Sequence, residues 1–227
     1  KKEKLVELAI TNAGILMNRY RQQYREQDVK NARALEELQQ LIGLPNLPLR
    51  IESYDISNTM GALNVGSMVV YQNGRPKNND YRKFRIQSVQ GPDDVRSMRE
   101  MLTRRFEHGL SEMQANARDG KDDKLGSFSN FPDLICMDGG KGQVNVCEEV
   151  LQSLGITSIT VVGMVKDDRH RTRALLYQNE ELPIAENSEA FKLLTRIQAE
   201  VHRFAISYHR SLRDQKQIRS LLDDIKG

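Results

Sequence analysis

Pro132-Asp133-Leu134-Ile135-Cys136-Met137-Asp138-Gly139-Gly140-Lys141-Gly142-Gln143 joins a short, nearly continuous apolar run to a carboxylate and a glycine-rich turn. Such a run is the pattern of a strand buried on both faces, as in a parallel sheet. Gly139-Gly140 allows a tight turn, and a helix from about Gly142 to Leu154 follows. Asp138 therefore stands at the C-terminal end of a buried strand, where open α/β sheets bind ligands. The turn is not a nucleotide-binding P-loop, because the spacing before Lys-[Ser/Thr] is absent and Gln143 follows the glycine, so ATP use is not indicated. Amides at the helix start and the Lys141 ammonium favour an anion such as a backbone phosphate. Glycines also shape strand-to-helix turns that bind nothing.

Upstream, Leu49 to Ile56, Ala62 to Tyr71 and Tyr81 to Ile86 read as three strands of an antiparallel meander, the last two separated by the polar, turn-rich Gln72 to Asp80. Gly91-Pro92-Asp93-Asp94 starts a helix, its acids facing the positive end of the dipole, and Val95, Met98, Met101, Leu102 and Phe106 carry it to about His108. Ala115 to Asn130 loses all periodicity and reads as a surface loop. Downstream, Ile159 to Val165 is a second buried strand, Lys166 to Pro183 a basic turn feeding a hairpin through Arg173 to Tyr177, and Ser188 to about Asp214 a long helix. Lys4 to Ile42 predicts one or two helices, closed off by Gly43 to Pro48. The order βββαβαβ, hairpin, α is that of an α/β, RNase H-like mixed sheet flanked by helices, although other topologies share part of it. The expected organisation is an N-terminal helical extension over 1–45, the mixed-sheet domain over 46–217, and the start of a further module over 218–227.

The 227 residues suffice for one sizeable domain. A formal charge of +3 from nearly balanced acids and bases is not that of a protein coating nucleic acid, so any such site is local. Cys136 and Cys147 have no neighbours at zinc-finger spacing, so neither a disulfide framework nor a structural zinc is indicated, and a reducing cytoplasm fits best. No apolar run approaches the roughly 18 residues of a membrane span. With no initiating Met and an element still running at Asp223 to Gly227, the chain reads as a piece of a longer protein.

Asp55 closes a strand in Tyr54-Asp55-Ile56-Ser57. By itself it reads first as a cap on the following turn. Two carboxylates at the ends of neighbouring strands would suit a hard divalent ion, Mn²⁺ or Mg²⁺, with phosphate oxygens completing its shell. His202 and His209 share one flank of the last helix, and spacing does not choose between them. Lys166, Arg169, His170, Arg171 and Arg173 form the densest basic segment; with Lys141, Arg203 and Arg210 they are the candidate DNA-backbone contacts. A basic run of this kind is equally a solvated turn.

Four motifs then acquire a common meaning. Tyr54-Asp55-Ile56-Ser57, Met98-Arg99-Glu100-Met101-Leu102-Thr103-Arg104-Arg105, Asp133 to Gln143, and Glu200-Val201-His202-Arg203-Phe204-Ala205-Ile206-Ser207-Tyr208-His209-Arg210 resemble, in order, the motifs of the UvrC endonuclease domain family. The resemblance spans roughly Leu49 to Asp214. It implies an RNase H-like nuclease of bacterial nucleotide-excision repair that cuts damaged duplex DNA on the 5′ side of a lesion with an Asp, Asp, His set. The motifs place those roles, and the metal, on Asp55, Asp138 and His202, which chooses His202 over His209. It also implies a separate N-terminal nuclease for the 3′ cut, a helical module for UvrB, and tandem helix-hairpin-helix motifs of which Leu221 to Gly227 would be the start. Asn58 departs from the family, which often has His there. Two rivals are a non-catalytic DNA-binding scaffold, against which the intact set argues, and a transposase-like enzyme using Glu200 as third carboxylate.

Overall fold

Strand β1 (Arg50–Thr59) alternates its side chains between two cores. Tyr54 and Ile56 face one and Ile51 the other, as the two-residue pleat requires. The computed structural model describes residues 2–59, 63–89, 91–119, 126–167 and 172–223; side chains of residues 2, 3, 5, 8, 9, 58, 59, 63 and 208–223 lie outside that description. β1 pairs antiparallel with β2 (Leu63–Gln72) and in parallel with β5 (Leu134–Met137). The outer side of β2 takes both β3 (Arg75–Pro76) and β4 (Arg82–Arg85). β5 continues in parallel to β6 (Thr160–Lys166), then antiparallel through β7 (Thr172–Tyr177) to β8 (Glu180–Pro183). The result is an eight-stranded mixed sheet in the order β3-β2-β1-β5-β6-β7-β8, with β4 on β2.

Helices cover both faces. α1 (Lys2–Ile42) and α4 (Glu189–Asp223) lie on one, α2 (Asp94–Arg118) and α3 (Lys141–Ser153) on the other. All four residues of β5 are fully buried between them, Leu134, Ile135 and Met137 each at about 1.5–3 kcal/mol of hydrophobic stabilisation. The predicted double-sided strand is thus observed. α1 is one helix. Ala34, Leu35, Leu38 and Ile42 of its last turns join the α4 core, while Val6, Ile10, Tyr20 and Tyr24 are exposed. No helix among the described residues is long and apolar enough to cross a membrane.

Two local expectations are corrected. α2 runs on to Arg118 rather than stopping near His108, because Ala, Glu, Met, Gln and Arg after Gly109 propagate an established helix without burying a face. Gly109 itself is needed for packing: a Cβ there would lie 2.4 Å from the Phe131 ring and 2.5 Å from the Phe128 carbonyl oxygen. Gln72 to Asp80 is more than a polar connection. Asn73 and Gly74, with φ of 52° and 72°, form a two-residue turn into β3, the Asn-Gly signature of a tight hairpin.

Beneath the α2 face lies a buried polar network. Arg105 donates to Glu52 (2.8 Å) and to the Phe128 carbonyl (2.6 Å); Arg50 donates to Asp80 (2.7 Å) and reaches Glu52 at 3.4 Å; the Tyr54 hydroxyl donates to the other Glu52 oxygen. The Glu52 and Arg105 side chains are completely buried. Their charges are tolerated because each meets partners in place of water.

Candidate active site

β1 and β5 pair in parallel up to Tyr54↔Met137, so the next residue on each strand, Asp55 and Asp138, stand side by side at the carboxyl ends. Pleat alternation turns both toward α4. That helix carries Gln198 and His202 four residues apart, on one face. Gln198 Nε2 donates to Asp138 Oδ1 at 3.1 Å, and His202 Nδ1 stands 3.8 Å from Asp55 Oδ2, too far for a hydrogen bond. Lys166, at the end of β6, places its ammonium 2.8 Å from Asp138 Oδ1. The carboxylates are largely shielded, with side-chain exposures of 8% for Asp138 and 18% for Asp55, whereas His202 is 67% exposed.

Burial, then the neighbouring Asp138 charge, pushes the Asp55 carboxyl up to about 6; His202 and Lys166 pull it back, and Asp94 pushes it up again. Asp94 occupies the first turn of α2. In the sequence it is only a charge matched to the helix dipole, since nothing in spacing brings that turn to the end of β1. The neighbouring Asp93 is the cap, accepting from the Arg96 amide at 2.9 Å. At the strand-to-helix turn, the Gln143 side-chain amide packs over Gly139, and its Oε1 would lie 2.3 Å from a Cβ there. Gly140 caps α3, leaving exposed Lys141 at its start.

The other basic candidates are more dispersed. Arg173 pairs with Glu181 at 2.7 Å, and Arg203 holds both oxygens of Glu200 at 2.7 Å. Glu200, the alternative third carboxylate, is thereby already engaged. Arg169 and Arg171 lie outside the described residues, as do the side chains of Arg210, His209 and Asn58.

The donor set bears directly on metal. Among the described residues no three His, Cys, Asp or Glu side chains are gathered closely enough to hold an ion. Two adjacent carboxylates, one with its proton affinity raised by burial and then by the other, nevertheless form a site that a cation would relieve, and the Lys166 ammonium already answers that need at Asp138. The residues therefore fit a divalent ion held by two carboxylates, its remaining positions open to phosphate and water, rather than a closed three-residue cage.

Comparison with known proteins identifies the family. The model of the family described as the UvrC RNAse H endonuclease domain matches residues 39–206. The UvrABC system protein C of Lachnospira eligens is 54% identical over 226 residues, covering 100% of this chain and 36% of that protein. That of Clostridium perfringens is 50% identical over 224 residues, covering 99% and 36%. The chain thus spans about a third of the length of these curated relatives. Among solved structures, human ENDOV is similar at a TM-score of 0.33 and 12% identity over 78% of this chain and 90% of that one. Ciona intestinalis endonuclease V in complex with an inosine-containing DNA has a TM-score of 0.35 and 14% identity, over 64% and 58%. Both structural likenesses are too remote to carry an argument. With the family model covering most of the chain and relatives at half identity along its whole length, the chain belongs to the UvrC RNase H endonuclease domain family.

Proposed function

We propose that this domain is a divalent-metal-dependent DNA endonuclease that hydrolyses a phosphodiester on the 5′ side of a lesion, as the cutting unit of a cytoplasmic UvrABC excision-repair system. The observation that carries the reading is the in-register juxtaposition of Asp55 and Asp138 at the ends of adjacent parallel strands, with His202 above one and Lys166 against the other. Its substrate would be damaged duplex DNA, with UvrB as a partner engaged through a module outside this chain.

Asp55 and Asp138 would hold Mn²⁺ or Mg²⁺, and the bound ion would supply Lewis acidity toward the scissile phosphate and a nucleophile near neutral pH. Asp55 must be ionised to serve as a ligand, and with its carboxyl pushed up to about 6, protons compete with metal below that pH. His202, exposed and 3.8 Å from Asp55, is placed to ligate through a neutral nitrogen or to move a proton. A nitrogen ligand would tilt the preference toward Mn²⁺. Lys141 and the free amides at the start of α3 would favour an incoming phosphate. Water adds to phosphorus, the P–O3′ bond breaks and the departing oxygen takes a proton, leaving a 3′ hydroxyl and a 5′ phosphate. Plasmid nicking in Mn²⁺, Mg²⁺ or EDTA is the test. The wild-type sequence should nick with metal only, and Asp138→Ala should fall to background; equal nicking by both overturns the reading.

A further inference from the structure

Asp138 Oδ1 receives two donors at once, the Lys166 ammonium at 2.8 Å and the Gln198 amide at 3.1 Å. Oδ2 has no partner among the described residues. Behind Gln198, the Thr172 hydroxyl, buried to 2% exposure, donates to Gln198 Oε1 at 2.9 Å. The polarity of this chain is dictated by chemistry. A carboxylate only accepts, so Gln198 must present its NH₂ to Asp138 and its carbonyl to Thr172, which has a proton to give. An untethered Gln side chain could swing away from the carboxylate, and the Thr172 hydroxyl holds its carbonyl in place. The anchor comes from the register of β6 and β7: the irregularity at Val165/Lys166 leaves Arg173 out of the pairing and sets Thr172 directly opposite Lys166. One irregular hairpin end therefore supplies both supports of Asp138, Lys166 directly and Thr172 through Gln198.

We propose that Gln198 is a positioning residue for Asp138, that Thr172 tethers the far end of the Gln198 amide, and that together they hold Oδ1 so that Oδ2 is presented toward Asp55 for the cation. The consequence for metal rests on the nuclease reading above; the orientation of Asp138 does not. The test uses the whole chain with Gln198→Ala, Thr172→Val and Thr172→Ser, read in two ways. Crystals of the metal-free proteins report the Asp138 side-chain orientation, and calorimetric titration reports Mn²⁺ affinity. Asp138 should leave its wild-type rotamer in Gln198→Ala, with Mn²⁺ affinity falling about 10-fold, the usual range for loss of a group supporting a metal ligand. Thr172→Val, equal in volume but without the hydroxyl, should show a smaller loss that Thr172→Ser restores. An unchanged Asp138 rotamer in Gln198→Ala overturns the proposal whatever the metal does, as does a Thr172→Val protein that binds Mn²⁺ as tightly as wild type. A wild-type chain that binds no Mn²⁺, with Asp138 displaced in Gln198→Ala, would sink the metal reading and leave the positioning role standing.

Discussion

Glu52 and Asp55 lie three residues apart on β1, on opposite faces of the sheet, and the fold treats their charges differently. Glu52 is completely buried and saturated: Arg105 at 2.8 Å, Arg50 at 3.4 Å and the Tyr54 hydroxyl meet its two oxygens. Asp55 keeps 18% exposure, has His202 only at 3.8 Å, and shares its neighbourhood with the carboxylates of Asp138 and Asp94. The first arrangement ties β1 to α2 and to the segment leading into β5. The second leaves negative charge under-compensated, which destabilises the folded protein and favours a cation. A carboxylate used as a strut and one available for chemistry thus differ in how fully the protein neutralises them.

Truncating the strut should have the largest effect on folding. Glu52→Ala leaves Arg105 and Arg50 buried without a counter-charge and should cost about 3–5 kcal/mol, read from urea unfolding. A loss under 1 kcal/mol would mean that Glu52 is not the keystone of the network. On the other face, His202→Ala should leave stability untouched, since its side chain is mostly exposed, yet slow single-turnover cutting in Mn²⁺ by roughly 100-fold, the lower end for loss of an acid–base group. His209→Ala should cut faster than His202→Ala; a folded His202→Ala chain at the wild-type rate removes His202 from the site.

The smallest effect is the sharpest test of the contrast. Asp55 is raised from 3.8 to about 6 in the fold, so folding favours its protonated form. The resulting contribution is fully present below about pH 4, is lost as pH rises through 6, and leaves a net penalty above that. In EDTA, Asp55→Asn should therefore be more stable than wild type by about 1–3 kcal/mol at pH 8, and the gain should vanish near pH 4. Thermal melts across that range check the sign; a variant less stable at pH 8 would show that Asp55 is compensated after all.

Much of this was legible in the chain because it rests on short-range patterns. The unbroken run Leu134 to Met137 announces a strand buried on both faces, and the carboxylate-glycine step after it marks a strand end feeding a helix. The motifs around Asp55, Asp138 and His202 carried the family. Alternation and helical spacing describe which face a residue takes, but not which residue of another element it meets. The pairing that sets Asp55 beside Asp138, the crossing of α4 that brings Gln198 and His202 over them, and the α2 start that brings Asp94 near were decided only by the assembled sheet. Arg105, inside a motif yet without an evident role there, acquired one when α2 docked it on Glu52, 53 positions away. The irregularity opposite Lys166 is invisible for the same reason: a slipped register belongs to two strands at once, and no single stretch of sequence contains it.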